Sequence, residues 1–276
     1  MTVGATGERR ATPGNTGDFV TRIVSGVALA AIALLAAVLG GWATAFVLGI
    51  VVSIVHLEWV AMTEQSPWPT AVFTAGLVVA LAMITLGFSG TGLAIVGLAI
   101  LTTTATMYLW RPVGVLFASM LGVGLLALRN SDNGLAAVLL LFAVVWATDT
   151  GAFFAGRLIG GAKLWPGVSP NKTWVGAIGG LVVGVIAGLL AAPLINVSLS
   201  VPLILIIALL SVASQAGDLF ESAVKRGFGA KDSGSLVPGH GGLMDRVDSL
   251  TFAAGLAALI GYLHSGSEVA QGLLAW

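Results

Sequence analysis

The sequence predicts an all-α, polytopic integral membrane protein of about nine transmembrane helices, with its N-terminus in the cytoplasm and two polar loops on the cytoplasmic side. Three observations predict this class. The chain of 276 residues is 57% hydrophobic and 9% charged, with a mean hydropathy of +1.02, whereas soluble domains carry about 25% charged residues. Its apolar runs repeatedly approach the ~20 residues that a helix needs to cross a bilayer. Its basic residues fall almost entirely on one side when those runs are threaded alternately through a membrane.

The first 22 residues are polar and rich in Gly and Thr, and are expected to form a disordered cytoplasmic tail. They lack the short apolar core and small-residue cleavage site of a signal peptide. Apolar runs then cover 23–40, 43–62, 69–88, 91–109 and 112–128, joined by short polar turns. This region, 23–128, is expected to be a transmembrane scaffold of about five spans. Four further runs, 134–155, 174–195, 201–220 and 249–264, belong to a second region, 129–276, which carries the polar loops 156–173 and 221–248 and is expected to be the catalytic part. With the N-terminus inside, Arg9, Arg10, Arg22, Arg111, Arg157, Lys163, Lys172, Lys225, Arg226, Lys231 and Arg246 are cytoplasmic and only Arg129 is outside. The same parity places both long loops on one face. The 38 glycines are aperiodic, which excludes collagen and suits close helix packing in lipid. A balanced net charge gives no footprint for nucleic acid. The absence of cysteine excludes disulfides and thiolate metal ligands.

Charge concentrates between Asp218 and Asp248, which hold five of the twelve acids and four of the twelve Lys and Arg residues. Asp218, Glu221, Ser222 and Lys225 stand at i, i+3, i+4 and i+7, so a helix continuing past Phe220 places all four on one face. Two carboxylates one turn apart can share a hard cation such as Mg²⁺, and the lysine beyond them can meet a phosphate. The bland alternative is a solvated helix end with a Glu221–Lys225 pair. In P-G-H-G-G-L-M-D-R-V-D the glycines permit close backbone approach to a ligand. A helix starting near Leu243 sets Asp245 and Asp248 on one face of its first turns. Acids there also suit the helix dipole, but capping does not explain Arg246, and Gly-His-Gly-Gly has no evident packing reason. His240 in this setting is a candidate contact to phosphate or base.

Asp149, in W-A-T-D-T-G-A-F-F-A-G-R, lies about six residues before the cytoplasmic end of the sixth run, about 9 Å deep at 1.5 Å per residue. An acid at that depth is a functional candidate, or else an interhelical hydrogen-bonding group. In G-G-A-K-L-W-P-G-V-S-P-N-K-T-W, the residues Ser169, Asn171, Lys172 and Thr173 could grip phosphate. Equally, Lys163, Lys172, Trp165 and Trp174 could be an ordinary interfacial belt. His56, Glu58 and Glu64 read as interfacial or structural, and His264 and Glu268 as solvated. No P-loop, H-E-x-x-H or nucleophile elbow is present. What remains is carboxylates for metal and basic side chains for phosphate at a membrane surface. That combination fits phosphoryl or nucleotidyl transfer to a lipid phosphate, which is already ionised and needs no general base. A CTP-dependent lipid kinase or another lipid nucleotidyltransferase would share these groups but needs a base for a neutral hydroxyl. An ion-coupled transporter would place its acids nearer the bilayer midplane, in paired broken helices.

The segment S-A-V-K-R-G-F-G-A-K-D-S-G-S-L-V-P-G-H-G-G-L-M-D-R-V-D, from Ser222 to Asp248, resembles the signature of the phosphatidate cytidylyltransferase (CDP-diacylglycerol synthase) family and meets each of its fixed positions. D-T-G-A-F-F-A-G-R (149–157) and S-P-N-K-T-W (169–174) resemble companion motifs of the same family. Val175 departs from it, since many members carry an acid there. The resemblance implies an enzyme of phospholipid biosynthesis in the cytoplasmic membrane, using CTP and phosphatidic acid to make CDP-diacylglycerol. It implies Mg²⁺ as cofactor, with a monovalent cation such as K⁺ beside it. Asp218 and Asp245, with Glu221, are expected as metal ligands, and Asp149 and Asp248 as their partners. Lys225, Arg226, Lys231, Arg246 and Lys172 are expected on the phosphates, and Ser169 and Ser222 as hydrogen-bond donors. Asn171, Thr173, Asp232, His240, Gly241 and Gly242 complete the expected substrate contacts. The lipid bilayer is the expected setting and a homodimer the expected assembly.

Overall fold

The computed structural model describes residues 16–63, 67–237 and 241–276. Ten helices and one hairpin follow in the order α1 (Thr16–Leu39), α2 (Gly41–Met62), α3 (Pro67–Thr85), α4 (Ser89–Thr104), α5 (Trp110–Arg129), α6 (Gly134–Leu158), β1 (Lys163–Trp165), β2 (Ser169–Thr173), α7 (Trp174–Leu194), α8 (Val201–Gly227), α9 (Met244–Ser265) and α10 (Val269–Leu274). The first nine helices overlap the nine apolar runs read from the sequence. Six of them (α2, α5, α6, α7, α8 and α9) are long and apolar enough to cross a membrane, and α1, α3 and α4 contribute shorter apolar stretches. This is a mostly helical, multi-pass membrane protein.

Four details differ from the sequence reading. Helix α1 begins at Thr16, ahead of the first apolar run, and the rest of the segment expected to be disordered, 1–15, lies outside the described residues. The loop 156–173 contains an antiparallel hairpin pairing Lys163 with Thr173 and Trp165 with Ser169, so the fold is not purely α. The polar loop 221–248 contracts to 228–243, since α8 runs on to Gly227 and α9 starts at Met244. A short tenth helix closes the chain.

Helix ends sort onto two faces. On one, the end of α2 meets the starts of α5 and α9: Trp59 Nε1 donates to the Trp110 carbonyl at 2.8 Å, and Glu58 accepts from the backbone N–H groups of Leu243 and Met244. The ends of α6 and α8 and the hairpin join this face through Ser249–Asp149 and Arg226–Val168 contacts. On the opposite face, Arg129 at the end of α5 donates to the carbonyls of Ala37 and Val38 at the end of α1, and Glu268 accepts from the Asp132 N–H. Arg129 thus places a cation at the negative end of the α1 dipole.

Lipid offers helices no hydrophobic reason to associate, so close backbone approach has to come from small residues. Gly176, Gly180, Gly184 and Gly188 recur every fourth residue on the buried side of α7, which packs on α6. A Cβ at Gly180 would lie 2.8 Å from the Thr148 carbonyl, and one at Gly184 would strike the Thr148 hydroxyl. There Thr148 and Ser211 share a buried hydrogen bond of 2.8 Å that ties α6 to α8. Gly184→Ala should therefore cost about 1–3 kcal/mol through overpacking. Gly97→Ala, where a Cβ meets nothing within 4 Å, should be neutral or slightly stabilising. Thermal unfolding of the two purified variants in detergent checks the contrast.

Candidate active site

The helix ends on the first face enclose a cavity of about 780 Å³, large enough for a nucleotide-sized ligand. Helix α6 lends it Asp149, α8 lends Asp218, Glu221 and Lys225, α9 lends Asp245, Arg246 and Asp248, and the hairpin lends Asn171, Lys172 and Thr173. Asp232, from the 228–243 loop, completes the set. Eleven of the expected site residues thus line one cavity, although they come from five separate elements of the chain.

The extension of α8 past Phe220 makes the ridge predicted from spacing real. Lys225 is the hub of the site. Its ammonium lies 2.7 Å from Glu221 Oε2 one turn before it and 2.5 Å from Asp245 Oδ1 on α9. Asp245 Oδ2 accepts at 2.9 Å from the Ser233 N–H, the Ser233 hydroxyl and the Gly242 N–H. Asp245 therefore locks the 228–243 loop to the start of α9. Across the cavity Lys172 meets Asp218 Oδ2 at 2.5 Å, and the Ser222 hydroxyl lies 3.4 Å from Asp218 Oδ1. Asp149 accepts from the Ser249 hydroxyl at 3.1 Å.

Asp248 accepts from the Ser249 N–H at 2.8 Å and is 8% exposed. It lies against Glu221, which is fully buried and whose Oε1 has no hydrogen-bond partner. Two neighbouring carboxylates with an unsatisfied buried oxygen form an arrangement that a cation or a proton must relieve. Six carboxylates line the cavity against the four basic side chains of Arg157, Lys172, Lys225 and Arg246. A polyanion entering such a cavity needs further cations to neutralise it. Among the described residues no three acidic or imidazole side chains already form a metal cage. Mg²⁺ does not require one, because it keeps several waters and takes one or two carboxylates together with substrate phosphates. The hard oxygen donors here fit that ion.

The other expected residues sit around the cavity without lining it. Ser222 supports Asp218. Arg226 is turned to the hairpin, donating to the Val168 and Ala230 carbonyls. Ser169 belongs to the β1–β2 register, and Lys231 points to the exterior. Thr173 accepts from the Gly176 N–H at 3.0 Å and so caps α7 as well as facing the cavity. Gly241 and Gly242 have a packing reason after all. Gly241 has φ +83°, and a Cβ there would lie 2.9 Å from Asp245 Oδ2, while one at Gly242 would lie 2.8 Å from Glu58 Oε2. His240, with Pro238 and Gly239, lies outside the described residues, as does Glu64.

Sequence reasoning passed over Gln215, Ser249 and Arg157, all of which line the cavity. Gln215 stands one turn before Asp218 and was available from the same helical spacing, as was Ser249, one turn after Asp245. Arg157, whose guanidinium lies 5.8 Å from the Phe153 ring centroid, was inside a quoted motif without being singled out. Glu58 gave no local signal, because its partners are some 185 residues away.

A model of the cytidylyltransferase family matches residues 20–264 of the chain. The chain is 40% identical over 262 residues to the phosphatidate cytidylyltransferases of Brucella suis biovar 1 and Brucella melitensis biotype 1, covering 90% of this chain and 95% of each relative. It is 46% identical over 141 residues to the phosphatidate cytidylyltransferase of Staphylococcus saprophyticus, covering 50% of this chain and 54% of that one.

Lys225→Met would leave Glu221 and Asp245 without their shared cation. Removing one partner from a buried ion pair costs on the order of 3 kcal/mol or more, so the variant should melt well below the parent. Adding Glu221→Gln should recover part of that loss, because one of the two stranded carboxylates is removed with it. A double-mutant cycle on melting temperatures reads the coupling.

Proposed function

The chain belongs to the cytidylyltransferase family, and on that premise we propose that it is a CTP:phosphatidate cytidylyltransferase. A phosphate oxygen of phosphatidic acid attacks the α-phosphorus of CTP. The bond from that phosphorus to the bridging oxygen of the β-phosphate breaks, and CDP-diacylglycerol and pyrophosphate result. The observation that carries this reading is the cavity in which Lys172, Lys225 and Arg246 stand among carboxylates at one end of the helix bundle. Among the described residues the acids of this cavity gather at one end of the bundle, on helices that are not the paired broken helices a transporter needs.

On this reading Lys172, Lys225 and Arg246 bind and orient the two phosphate groups, with Arg226 and Lys231 at the rim. Asn171, Thr173, Ser169 and Ser222 donate hydrogen bonds or hold the donors in place. Asp232 faces the nucleotide, His240 contacts phosphate or base as the family signature implies, and Gly241 and Gly242 let the loop lie against Asp245 and Glu58 beside the substrate. Asp218, Glu221 and Asp245 would hold Mg²⁺, assisted by Asp149 and Asp248, and a monovalent cation such as K⁺ would be the second ion. Asp218 is the more open ligand, since Asp245 already receives three hydrogen bonds and a lysine. When bound, Mg²⁺ supplies neutralisation of triphosphate charge and stabilises in-line displacement. The nucleophile is ionised at neutral pH, so no side chain has to take a proton from it.

The bilayer orientation forms part of the proposal. Nine spans, an N-terminus in the cytoplasm and a cavity opening to the cytoplasmic face of the inner membrane follow from the distribution of Lys and Arg, as does an exterior Arg129. Residues 129–276 would be the catalytic region and 23–128 the scaffold, in a homodimer whose mass in lipid nanodiscs can be measured.

Purified protein given CTP labelled in the base, phosphatidic acid and Mg²⁺ should place the label in lipid and release pyrophosphate. A lipid kinase would leave the base in solution, and a transporter would move ions into liposomes without CTP. Asp218→Asn, folded as judged by its melting temperature, should lose activity by roughly 100-fold or more, the scale seen when one preorganised electrostatic contact is removed. Near-normal turnover in that variant would sink the assignment of Asp218.

A further inference from the structure

Helix α2 lies in the half of the chain read as scaffold, yet its last turns reach the cavity wall from behind. Glu58 Oε1 accepts from the Leu243 N–H at 2.9 Å, and Oε2 accepts from the Met244 N–H at 2.7 Å. The Ser233 hydroxyl is 3.4 Å from the same Oε2 and 2.9 Å from Asp245 Oδ2. Ser233 therefore stands between the two carboxylates, with Glu58 on its far side from the cavity. A Cβ at Gly242 would lie 2.8 Å from Glu58 Oε2, and one at Gly234 would lie 2.7 Å from Glu58 Oε1. The glycines at both ends of the 233–242 segment are thus required by the approach of Glu58. The adjacent Trp59, fully buried, stacks 6.2 Å from Phe220, the residue before Glu221, and 5.4 Å from Phe117. This aromatic contact fixes the height of α2 against α8.

A bidentate carboxylate on the first N–H groups of a helix satisfies donors that the helix cannot satisfy itself, and it complements the positive end of the dipole. The start of α9 also carries Asp245 and Arg246, so the cap that sets its position sets theirs. We propose that Glu58 is a positioning residue of the active site. It clamps the start of α9 and the Ser233–Gly234 segment so that Asp245, Lys225 and Arg246 keep their mutual geometry. Glu58 touches no cavity space and acts only through these groups. The inference deepens the cytidylyltransferase reading and rests on it for its activity measurements.

Glu58→Gln keeps the shape but turns an NH₂ group toward a backbone N–H, so one of the two helix contacts becomes repulsive. The full-length variant in nanodiscs should show amide hydrogen exchange across 241–248 at least about tenfold faster than the parent, with exchange in α7 unchanged. Its kcat should fall by roughly tenfold or more, in line with loss of a hydrogen bond to a charged group, while its KM for phosphatidic acid stays within about twofold. Glu268→Gln, which removes a single carboxylate contact to a backbone N–H on the opposite face, should match the parent in both measurements. Unchanged exchange at 241–248 in folded Glu58→Gln would overturn the proposal. So would a loss of activity that merely tracks the folded fraction, or failure of both Glu58→Gln and Glu58→Asp to fold, since either marks Glu58 as a general stability element. If the parent makes no CDP-diacylglycerol, the functional reading fails, and the exchange comparison still decides the role of Glu58.

Discussion

Six carboxylates face one cavity at the end of a bundle that is otherwise hydrocarbon, and the arrangement depends on the few cations set among them. In a low-dielectric setting unpaired like charges cannot be held a few ångströms apart. Lys225 joins α8 to α9 by touching Glu221 and Asp245 together, and Lys172 joins the hairpin to α8 by touching Asp218. These ammonium groups are structural ties first. Under the proposed function, the same ammonium groups also meet the phosphates of a substrate. A group that can exchange a carboxylate for a phosphate suits a site handling both metal ions and polyphosphates, and it couples substrate binding to the packing of three elements.

The ties hold only if the helices carrying them are set at the right height, and the apolar part of the structure provides that. Trp59, Phe117, Phe220 and Phe252 form a contiguous aromatic cluster directly beneath the site, with ring centroids 5.2–6.3 Å apart. Such pairs contribute about 0.5–1.5 kcal/mol each beyond burial and resist sliding, since stacked rings fit in few registers. On the other side of α8 the glycine row of α7 brings its backbone against α6, and Thr148 and Ser211 add a hydrogen bond across the seam. Helix α8 is therefore held by ring stacking on one flank and, on the other, by the Thr148–Ser211 bond and by Ile207 against Gly188 of α7. The division between a scaffold half and a working half is less sharp than hydropathy suggests.

How much of this was legible in the sequence follows from how local each signal is. The helices were legible because a span announces itself through twenty consecutive residues. The ridge of Asp218, Glu221, Ser222 and Lys225 was legible because helical spacing is a short-range rule. Gln215 and Ser249 obey that same rule and could have been read. The hairpin was not legible, since S-P-N-K-T alternates no hydrophobic face and its pairing is with a three-residue strand. The true extent of the 228–243 loop was obscured because charged residues at the ends of α8 and α9 resemble loop composition, although a helix emerging from a membrane ought to turn polar. The glycines of G-H-G-G looked like room for a ligand, whereas Gly241 and Gly242 leave room for Asp245 and Glu58. That difference could not be seen in sequence, because the group requiring the space lies in α2.

The cavity wall also has two characters. Asp149, Asp218 and Asp248 line it together with Ala152, Phe153, Leu164 and Ala177, and Phe153 is more than half exposed. A soluble nucleotide alone would not call for apolar walls, and a lipid tail alone would not call for six acids. A substrate pair made of one water-soluble polyanion and one lipid phosphate calls for both in one space, with the charged wall where the phosphates meet. On the proposed reading the lipid supplies an ionised nucleophile, so the polar wall has to manage charge and orientation and not proton transfer. That accounts for a site rich in carboxylates, lysines and arginines.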